Sequence, residues 1–484
     1  MGNKLQFPTT PFINEDTENM KTFLTTMAFA LCCLSVTAKP ASKRVAFPGG
    51  KYKIYRVALQ DKRGNDYSLK HPERFLAERA LQRRSKQELA VDSTDLPISR
   101  KYLKKLAANG FTVIGGSKWN NTVLVKDTSA SASQRLSALP FVTSVTRVFA
   151  GADSVKVSAP FAIKADTAEA HYKAKTAYGH GGSQIRFFNG QKLHEAGFRG
   201  EGKLVAVVDG GFMNTDKIGY LKNVNIAGTR NCVYPYTSNI YDELDHGTMV
   251  LSTMAANSDS LFVGTAPGAS YLLVRSEYGP LENLVEEDFW AQAVEYADSM
   301  GADIVNSSLS YTQFDDKAAS HKYREQDGLT ALVSHTASMM AGKGMILVNS
   351  AGNEGARSWK RIGFPSDARD ILTVGAASRD SVNTTFSSVG PSYDGRVKPD
   401  VMAVGARATV VSGEGIITAA SGTSFSSPIT CGMVACLWQA LPDKTASEIM
   451  ELIRRSADRA QCPDNIYGYG IPDFWKAYQM GLKK

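Results

Sequence analysis

The sequence predicts an α/β protein in which a mostly parallel sheet is flanked by helices and preceded by a small α+β domain. From residue 176 to residue 484, short apolar runs of strand length alternate with longer segments of helical length, a pattern typical of parallel sheets covered on both faces. From residue 39 to residue 150, strand-like alternation is interleaved with helical segments. A chain of 484 residues is long enough for two or three such units.

The first 38 residues carry the features of an export signal. Met20 and Lys21 provide a charged start, Thr22–Val36 is mostly apolar or small, and small residues up to Ala38 offer a cleavage site. The apolar run is too short for a comfortable membrane span. We therefore expect an exported protein (periplasmic, cell-surface or secreted) whose mature chain has no stable membrane span. Translation from Met1 and from Met20 are both open at this stage.

Residues 39–150 form the predicted α+β domain. Its strands are expected at 51–59, 111–114, 121–126 and 142–149, and its helices at 72–88, 99–109 and 130–138. Residues 151–175 are rich in Ala, Ser, Lys and Asp and lack strong periodicity, which indicates an exposed linker where proteolytic cleavage is expected. An accessory binding domain that stays attached is the alternative to a domain that is cut off.

The remaining residues, 176–484, contain the strand and helix alternation. Strands are predicted at 204–208, 270–274, 304–307, 345–349 and 371–374, and helices at 247–256, 284–300, 330–341, 424–441 and 445–457. In open parallel sheets, ligands and reacting groups collect at the carboxyl ends of the strands. We therefore expect functional side chains just after these strands.

Charge and cysteine content narrow the function classes. The formal net charge is +8, and residues 51–105 hold 15 Lys and Arg against 7 Asp and Glu. Because the basic residues are interleaved with acids on predicted helices, they indicate solvated helix faces rather than a nucleic-acid surface. Four cysteines follow the signal segment and allow three full disulfide pairings, between which the sequence does not choose; they are Cys232, Cys431, Cys436 and Cys462.

The most informative segment is Ser421–Pro428 (SGTSFSSP), which places Ser424 on the first turn of an apolar helix. There the hydroxyl lies beside free backbone N–H groups, as acyl transfer by a serine nucleophile requires. An N-cap serine that opens a buried helix is the structural alternative.

Two segments supply the groups that activate a serine. Asp209 ends the apolar run 203–208, and His246 begins a predicted helix of small residues. An imidazole can take and return the serine proton near neutral pH, while a carboxylate holds one tautomer and stabilises the imidazolium. Asp, His and Ser in this order along the chain is one of the known orders of hydrolase triads.

A fourth element is Asn353, which follows an apolar strand-like run within the sequence AGNEG. Its amide can donate to a developing oxyanion, with the backbone N–H of Ser424 as the second donor. An asparagine in an ordinary turn is the alternative.

Together these segments resemble the signature motifs of the subtilisin-like serine proteases (subtilases), in order and in spacing, over about residues 178–477. The resemblance implies an endopeptidase with Asp209, His246 and Ser424 as the catalytic triad and Asn353 as the oxyanion donor. It implies that the α+β domain is a propeptide, which inhibits the protease intramolecularly until its removal. It also implies protein or peptide substrates and chemistry without a cofactor. Structural calcium is common in the family, but no ligand loop for it is visible in the sequence.

Residues 302–310 resemble the strand that lines the substrate cleft of subtilases. Ser308, Leu309, Ser310 and, from the AGNEG motif, Gly352 are therefore expected to bind substrate. The family usually has two glycines where this chain has Ser310 and Tyr311. Tyr311 is expected either to narrow the cleft or to pack beside it.

Two other functions agree with fewer of these observations. A degenerate protease kept as a binding module is disfavoured because all four catalytic residue types are present. An esterase would use the same acyl chemistry, but its usual GxSxG motif is absent, since Ser426 stands in place of the second glycine.

Overall fold

The computed structural model describes residues 42–46, 51–152, 154–158, 162–164, 177–258, 261–279 and 281–483. The predicted export signal and much of the predicted linker lie outside the described residues. Within the described ranges, no helix combines the length and apolar character needed to cross a membrane.

The N-terminal part of the chain contains a four-stranded antiparallel sheet. The strands of this part are β1 (Ser42–Ala46), β2 (Lys53–Leu59), β3 (Thr112–Ser117), β4 (Thr122–Asp127), β5 (Val142–Ala150) and β6 (Ser154–Ser158). Its helices are α1 (Glu78–Lys86), α2 (Arg100–Ala108) and α3 (Ala132–Ser137). The sheet order is β3-β4-β2-β5, and β1 forms a separate antiparallel pair with β6.

The strand β6 is absent from the sequence prediction, which treats residues 151–175 as a linker. Val155 and Val157 alternate with polar residues in this strand, but two apolar residues are too few to stand out from a linker composition. The pairing with β1, more than a hundred residues earlier in the chain, is a long-range contact that local sequence does not reveal.

The larger part of the chain is built on a seven-stranded parallel sheet. The strands that follow β6 are β7 (Leu204–Asp209), β8 (Asn225–Asn231), β9 (Asn257–Ser258), β10 (Phe262–Val263), β11 (Ser270–Arg275), β12 (Ile304–Ser307), β13 (Ile346–Ser350), β14 (Leu372–Ala377), β15 (Val401–Val404), β16 (Ala408–Val411) and β17 (Ile417–Ala420). The large sheet has the order β15-β14-β13-β12-β7-β11-β8. The pairs β9–β10 and β16–β17 are small antiparallel additions.

Helices cover both faces of the large sheet. They are α4 (Gly182–Arg186), α5 (Gln191–Glu195), α6 (His246–Ala255), α7 (Val285–Met300), α8 (Leu332–Met339), α9 (Thr423–Ala440), α10 (Ala446–Ser456) and α11 (Phe474–Gly481). Short 3₁₀ turns lie at Pro72–Arg74, Gly219–Leu221, Lys317–Ala319, Tyr323–Glu325 and Ala341–Lys343. The predicted fold class is confirmed.

Alternate residues of β7 belong to two different apolar cores. Val205 and Val207 pack with α6 and α9 on one face, whereas Leu204, Ala206 and Val208 pack with α7 and α8 on the other. All six residues of β7 are buried, so its continuous apolar run reflects coverage on both sides.

The N-terminal sheet also has two different faces. Tyr55, Val57 and Leu59 of β2 face a small core of their own with α2 and α3. Ile54, from the same strand, joins the core around Phe289 and Trp290 of α7. The N-terminal domain therefore packs its second face on one helix of the larger part.

The predicted helices agree with the observed ones to within a few residues, apart from 72–88, which is split into a 3₁₀ turn and α1. Strands β8 and β15 are missing from the prediction. The polar sequence NIAGTRN of β8 and the four residues of β15 carry little strand signal of their own. They are strands because the neighbouring strands β11 and β14 pair with them.

Candidate active site

The carboxyl ends of β7, β12 and β13 border a cavity of about 390 Å³. Its lining includes every residue that the sequence analysis assigned to catalysis or substrate binding, namely Asp209, His246, Ser308, Leu309, Ser310, Gly352, Asn353 and Ser424. These residues are far apart in the chain. The parallel sheet brings them together because the carboxyl ends of its strands meet at one edge.

Asp209 and His246 form a hydrogen bond at the centre of this site. Nδ1 of His246 lies 2.8 Å from Oδ1 of Asp209. The Asp209 side chain is fully buried, while 36% of the His246 side chain is exposed. The backbone N–H of Gly210 also donates to Oδ1 of Asp209, at 2.7 Å. With Nδ1 bound to the carboxylate, Nε2 is the ring nitrogen left for proton exchange.

Gly247 allows the start of α6 to approach the loop after Asp209. A β-carbon at position 247 would lie 2.4 Å from the carbonyl oxygen of Gly211 and 3.0 Å from Cβ of Asp209. The N–H of Gly247 donates to that same carbonyl at 3.0 Å. The glycine that follows His246 is thus required by a close backbone approach.

The surroundings of His246 favour its protonated form. Burial lowers the pKa of His246, but the charge of Asp209, the hydrogen bond to it and the charges of Asp245 and Glu277 together outweigh burial. The pKa of His246 is therefore raised above its ordinary value of 6.5. A site that stabilises imidazolium assists any reaction in which this ring takes a proton.

A proline links the start of α9 to the end of β12. Ser424 is the second residue of α9, and Pro428 lies four residues later. Because proline has no N–H, the carbonyl of Ser424 lacks its usual partner in the helix. The hydroxyl of Ser308 donates to this carbonyl at 2.8 Å, and the Ser424 hydroxyl donates to the Ser308 carbonyl at 3.4 Å. Pro428 therefore frees a carbonyl that positions Ser424.

Asn353 is held through its side-chain oxygen. Oδ1 accepts from the backbone N–H of Thr423 at 2.9 Å and from the Thr423 hydroxyl at 3.1 Å. A β-carbon built on Gly422 would lie 3.7 Å from Nδ2 of Asn353 and also 3.7 Å from the backbone nitrogen of Ser424. The Asn353 amide nitrogen and the Ser424 backbone nitrogen therefore lie near one point beside Gly422.

The residues predicted to bind substrate form a wall of the cavity. Ser308 is buried, Leu309 is half-buried and Ser310 is exposed. Gly352 has a φ of +103°, which favours glycine, and a β-carbon there would lie 3.0 Å from the Ser310 hydroxyl. Gly352 turns the chain from the end of β13 toward Asn353.

Tyr311 lies at the cavity wall. The residue is only 2% exposed, and its backbone pairs with Phe364 in an antiparallel bridge. Its hydroxyl donates to Oε1 of Glu277 at 2.6 Å. Tyr311 is buried and also belongs to the lining of the cavity, so both expected outcomes stay predictions.

Three carboxylates that sequence reasoning missed also line the cavity, namely Glu277, Glu282 and Glu286. Glu277 comes two residues after the end of β11, the neighbour of β7 in the sheet. Functional side chains are expected just after the strands of a parallel sheet. This expectation located Asp209, and it could also have located Glu277. Glu282 and Glu286 belong to the loop before α7 and to its first turn, whose position over the sheet edge leaves no mark in the sequence.

The four cysteines of the described region are free thiols. Cys232, Cys431 and Cys436 are buried. Burial raises the pKa of each of these thiols, that of Cys232 to about 12, so they behave as small apolar side chains. Among the residues the structure describes, no group of three or more His, Cys, Asp or Glu side chains is arranged to hold a metal ion, and structural calcium stays an untested prediction.

Two parts of the chain match known protein families. Residues 200–470 match the family described as Peptidase S8, the subtilase family. The chain belongs to the subtilase family. Residues 54–164 match a second family, described as the Peptidase S8 propeptide domain, Bacteroidota. Both the family and the propeptide predicted from the sequence are confirmed.

The sequence of this chain is moderately similar to those of individual subtilases. The chain is 30% identical over 314 residues to the serine protease AprX of Bacillus subtilis strain 168. It is 28% identical over 282 residues to subtilisin NAT of Bacillus subtilis subsp. natto. These alignments cover 58% and 57% of this chain, and 66% and 65% of the relatives. The chain thus spans just under two thirds of the length of each.

A solved structure shares the fold of nearly the whole chain. It is the epidermin leader peptide processing serine protease of Staphylococcus aureus, with a TM-score of 0.61 and 16% identity. The superposition covers 90% of this chain and 100% of that one. At this identity the likeness concerns the fold alone.

Proposed function

We propose that this chain is a serine endopeptidase that hydrolyses peptide bonds through an acyl-enzyme on Ser424. The observation that carries the proposal is the single cavity shared by the Asp209–His246 pair, Ser424 and the amide of Asn353. Membership of the subtilase family supports the reaction class. Protein or peptide chains are the proposed substrates.

In the first half of the proposed reaction, Oγ of Ser424 attacks the scissile carbonyl while Nε2 of His246 accepts the hydroxyl proton. Asp209 keeps the other ring nitrogen protonated and stabilises the imidazolium. The oxyanion receives hydrogen bonds from Nδ2 of Asn353 and from the backbone N–H of Ser424. His246 then protonates the leaving amine, and the acyl-enzyme remains.

In the second half, His246 takes a proton from water as the water oxygen attacks the acyl carbon. The tetrahedral intermediate is stabilised by the same two donors, and it collapses as His246 returns the proton to Oγ of Ser424. Residues of the chain and one water molecule account for every proton and charge in these steps. The mechanism therefore involves no cofactor.

We propose that the N-terminal domain is an intramolecular inhibitor. The ring of Phe149, near the end of β5, stacks on Tyr278 at a centroid distance of 5.3 Å. A second cavity of about 140 Å³ lies between residues 147–152 and Leu281, next to Glu282 of the large cavity. The chain that leaves β5 therefore starts beside the rim of the active site and continues into β6, which pairs with β1. We propose that the cut falls in this chain segment.

The domain limits follow the sequence analysis. They are an N-terminal extension and signal at 1–38, a propeptide at 39–150, a linker with the processing site at 151–175 and a catalytic domain at 176–484. Export rests on the signal features of residues 20–38. A protease that leaves the cell inactive and is then processed fits these parts.

The test compares residues 39–484 of wild type and of Ser424→Ala, both expressed without residues 1–38, by intact mass and N-terminal sequencing. Wild type is expected to be cut between Phe149 and Lys175, and Ser424→Ala to stay whole. The control is Ser421→Ala, which removes an exposed hydroxyl outside the cavity and is expected to process like wild type.

Two results would contradict the proposal. Cleavage of Ser424→Ala at the wild-type rate would assign processing to another protease. An uncut wild type that also leaves denatured casein intact would remove the proposed activity altogether.

A further inference from the structure

One side of the active-site cavity is strongly acidic. Glu277, Glu282 and Glu286 line it together, and they are called the acidic wall below. Among the described residues of the lining, Arg357 alone is permanently positive, and it pairs with Glu354 at 3.1 Å. The acidic wall therefore has no basic side chain of the cavity as its partner.

Glu277 is the buried member of the acidic wall. It is only 8% exposed, and both the Tyr311 and the Ser276 hydroxyls donate to its Oε1, at 2.6 and 3.0 Å. Within the described part of the chain, both hydrogen bonds to the Glu277 carboxyl group are made to Oε1 and none to Oε2. Burial raises the pKa of Glu277 to about 8, as expected for a carboxylate without a cation beside it.

The other two members have different roles. Each carboxylate oxygen of Glu286 accepts one backbone N–H, from Tyr278 at 2.8 Å and from Asn283 at 3.0 Å. Glu286 therefore fixes the shape of the wall. Glu282 is exposed at the cavity, where its carboxylate is accessible to a ligand.

The acidic wall is close to the reacting groups. A β-carbon built on Gly210, the residue after Asp209, would lie 3.6 Å from Cβ of Glu277 and 3.7 Å from its Cγ. Ser424 and His246 line the same cavity. A peptide whose scissile bond lies at Ser424 therefore shares this cavity with Glu277 and Glu282.

We infer that the acidic wall binds a lysine or arginine side chain of the substrate, close to the scissile bond. A cationic side chain supplies the missing counter-charge and donates to the unbonded Oε2 of Glu277. Charge-assisted hydrogen bonds are stronger than neutral ones. A resident metal ion is a poorer occupant, because backbone N–H groups already use both oxygens of Glu286. The inference rests on the proposed function, since it names the substrate class of the same site.

The experiment uses pairs of fluorogenic peptides that differ in one side chain. Lysine is paired with norleucine and arginine with citrulline, because each pair keeps the length and removes the charge. Each pair is placed in turn at the four positions before the cleaved bond and at the first position after it. The measured quantity is the ratio of kcat/KM for the charged and the neutral peptide, with the full chain as purified.

Wild type is expected to favour the charged peptide by about tenfold or more at one position at least, the effect of a charged hydrogen bond. Glu277→Gln and Glu282→Gln are expected to bring this ratio toward one while the neutral peptide is still cleaved. Glu282→Gln changes an exposed side chain, so its result stands even where the buried Glu277→Gln variant fails to fold. The control is Glu451→Gln, which removes an exposed carboxylate on α10 and is expected to keep the wild-type ratio.

The outcomes separate the two proposals. Cleavage by wild type with ratios near one at every position would overturn the acidic wall as a specificity site and leave the proposed protease intact. The same holds for an unchanged ratio in Glu282→Gln and in a folded Glu277→Gln variant. A wild type that cleaves neither these peptides nor denatured casein would overturn both.

Discussion

Helices α9 and α7 cover opposite faces of one sheet and are buried in different ways. All residues of α9 except the last two are buried, and they are mostly apolar or small. The buried residues of α7 include five acids, namely Glu286, Glu287, Asp288, Glu295 and Asp298. The face of the sheet under α9 is covered by residues of the larger domain itself. The opposite face, under α7, is covered in part by the N-terminal domain.

The contacts between the N-terminal domain and α7 are partly apolar and partly charged. Arg56 of β2 donates twice to Asp288, at 2.7 and 2.6 Å. Arg84 of α1 pairs with Asp298 at 2.9 Å and with Asp95 of its own domain at 3.0 Å. The backbone N–H groups of Lys118 and Trp119 donate to Glu295. Once the N-terminal domain leaves, these acids can be hydrated, whereas the apolar residues of α7 that pack against this domain lose part of their cover.

The difference explains which half of the molecule carries the chemistry. His246 is the first residue of α6 and Ser424 is the second residue of α9. These helices cover the apolar face, which must stay closed for the domain to remain folded. The α7 face accepts the N-terminal domain, whose removal we propose. A zymogen requires one face of the sheet whose cover stays in place, here the face under α6 and α9, which we call the permanent face. It also requires an opposite face from which a covering domain can be removed.

The largest expected effect is on kcat, from a substitution in the catalytic residues. Asp209→Asn should lower kcat by about 10⁴-fold, because the amide favours the wrong imidazole tautomer. The unfolding midpoint should change little, because the shape of the side chain is retained. Peptide hydrolysis and thermal unfolding are compared with Asp216→Asn, an exposed site. A normal kcat in folded Asp209→Asn would remove Asp209 from the mechanism.

Breaking the charged interface should destabilise the zymogen alone. Arg84→Met leaves Asp298 and Asp95 with less compensation in a buried site and should cost about 3–5 kcal/mol of unfolding free energy. The measurement is urea unfolding in a Ser424→Ala background, which keeps the chain whole. The mature enzyme that the proposed processing yields lacks residue 84 and should be unchanged.

Arg100→Met provides the matched control, because Arg100 and Asp66 form an exposed ion pair at 3.3 Å. Its loss should cost less than about 1 kcal/mol. Equal effects of the two arginine variants would contradict the view that buried charges hold the two domains together.

Shortening a buried side chain in α9 should lower the free energy of unfolding of both the zymogen and the processed protein. Leu437 is fully buried in the core of the permanent face, so Leu437→Ala should cost about 2–5 kcal/mol before and after processing. The control is Leu482→Ala, at a side chain that is 58% exposed. A loss restricted to the zymogen would mean that the α9 face also depends on the N-terminal domain.

The smallest expected effect is a shift along the pH axis. Because the pKa of His246 is raised above 6.5, kcat/KM should increase through a midpoint above pH 6.5 as the imidazole becomes neutral. The contribution of His246 to stability has the opposite trend: it is complete below pH 6.5 and is lost as pH rises through the raised pKa. Asp209→Asn should move the rate midpoint downward. A wild-type midpoint at or below 6.5 would contradict the charge balance described for this ring.

Local sequence was sufficient for the parts of the site that depend on short segments. The glycines and the proline around His246, Asn353 and Ser424 serve tight turns and close approaches within a few residues, so their spacing identifies the motif. Periodicity was likewise sufficient for β7, α7 and α9, since an apolar run or stripe is a local property. The polar strand β8 and the short strand β15 were missed because they are strands through pairing with their neighbours β11 and β14.

Only the tertiary structure decided what the rest of the site contains. Glu277 and Glu282 join the cavity because β11 lies beside β7 and because a loop bends over the sheet edge. Ser308 reaches the carbonyl freed by Pro428 from a strand more than a hundred residues away. The reason is physical: motifs and periodicity record interactions between residues near in the chain, whereas the shape and charge of a cleft arise from contacts between distant segments, for which a single sequence carries no local signal.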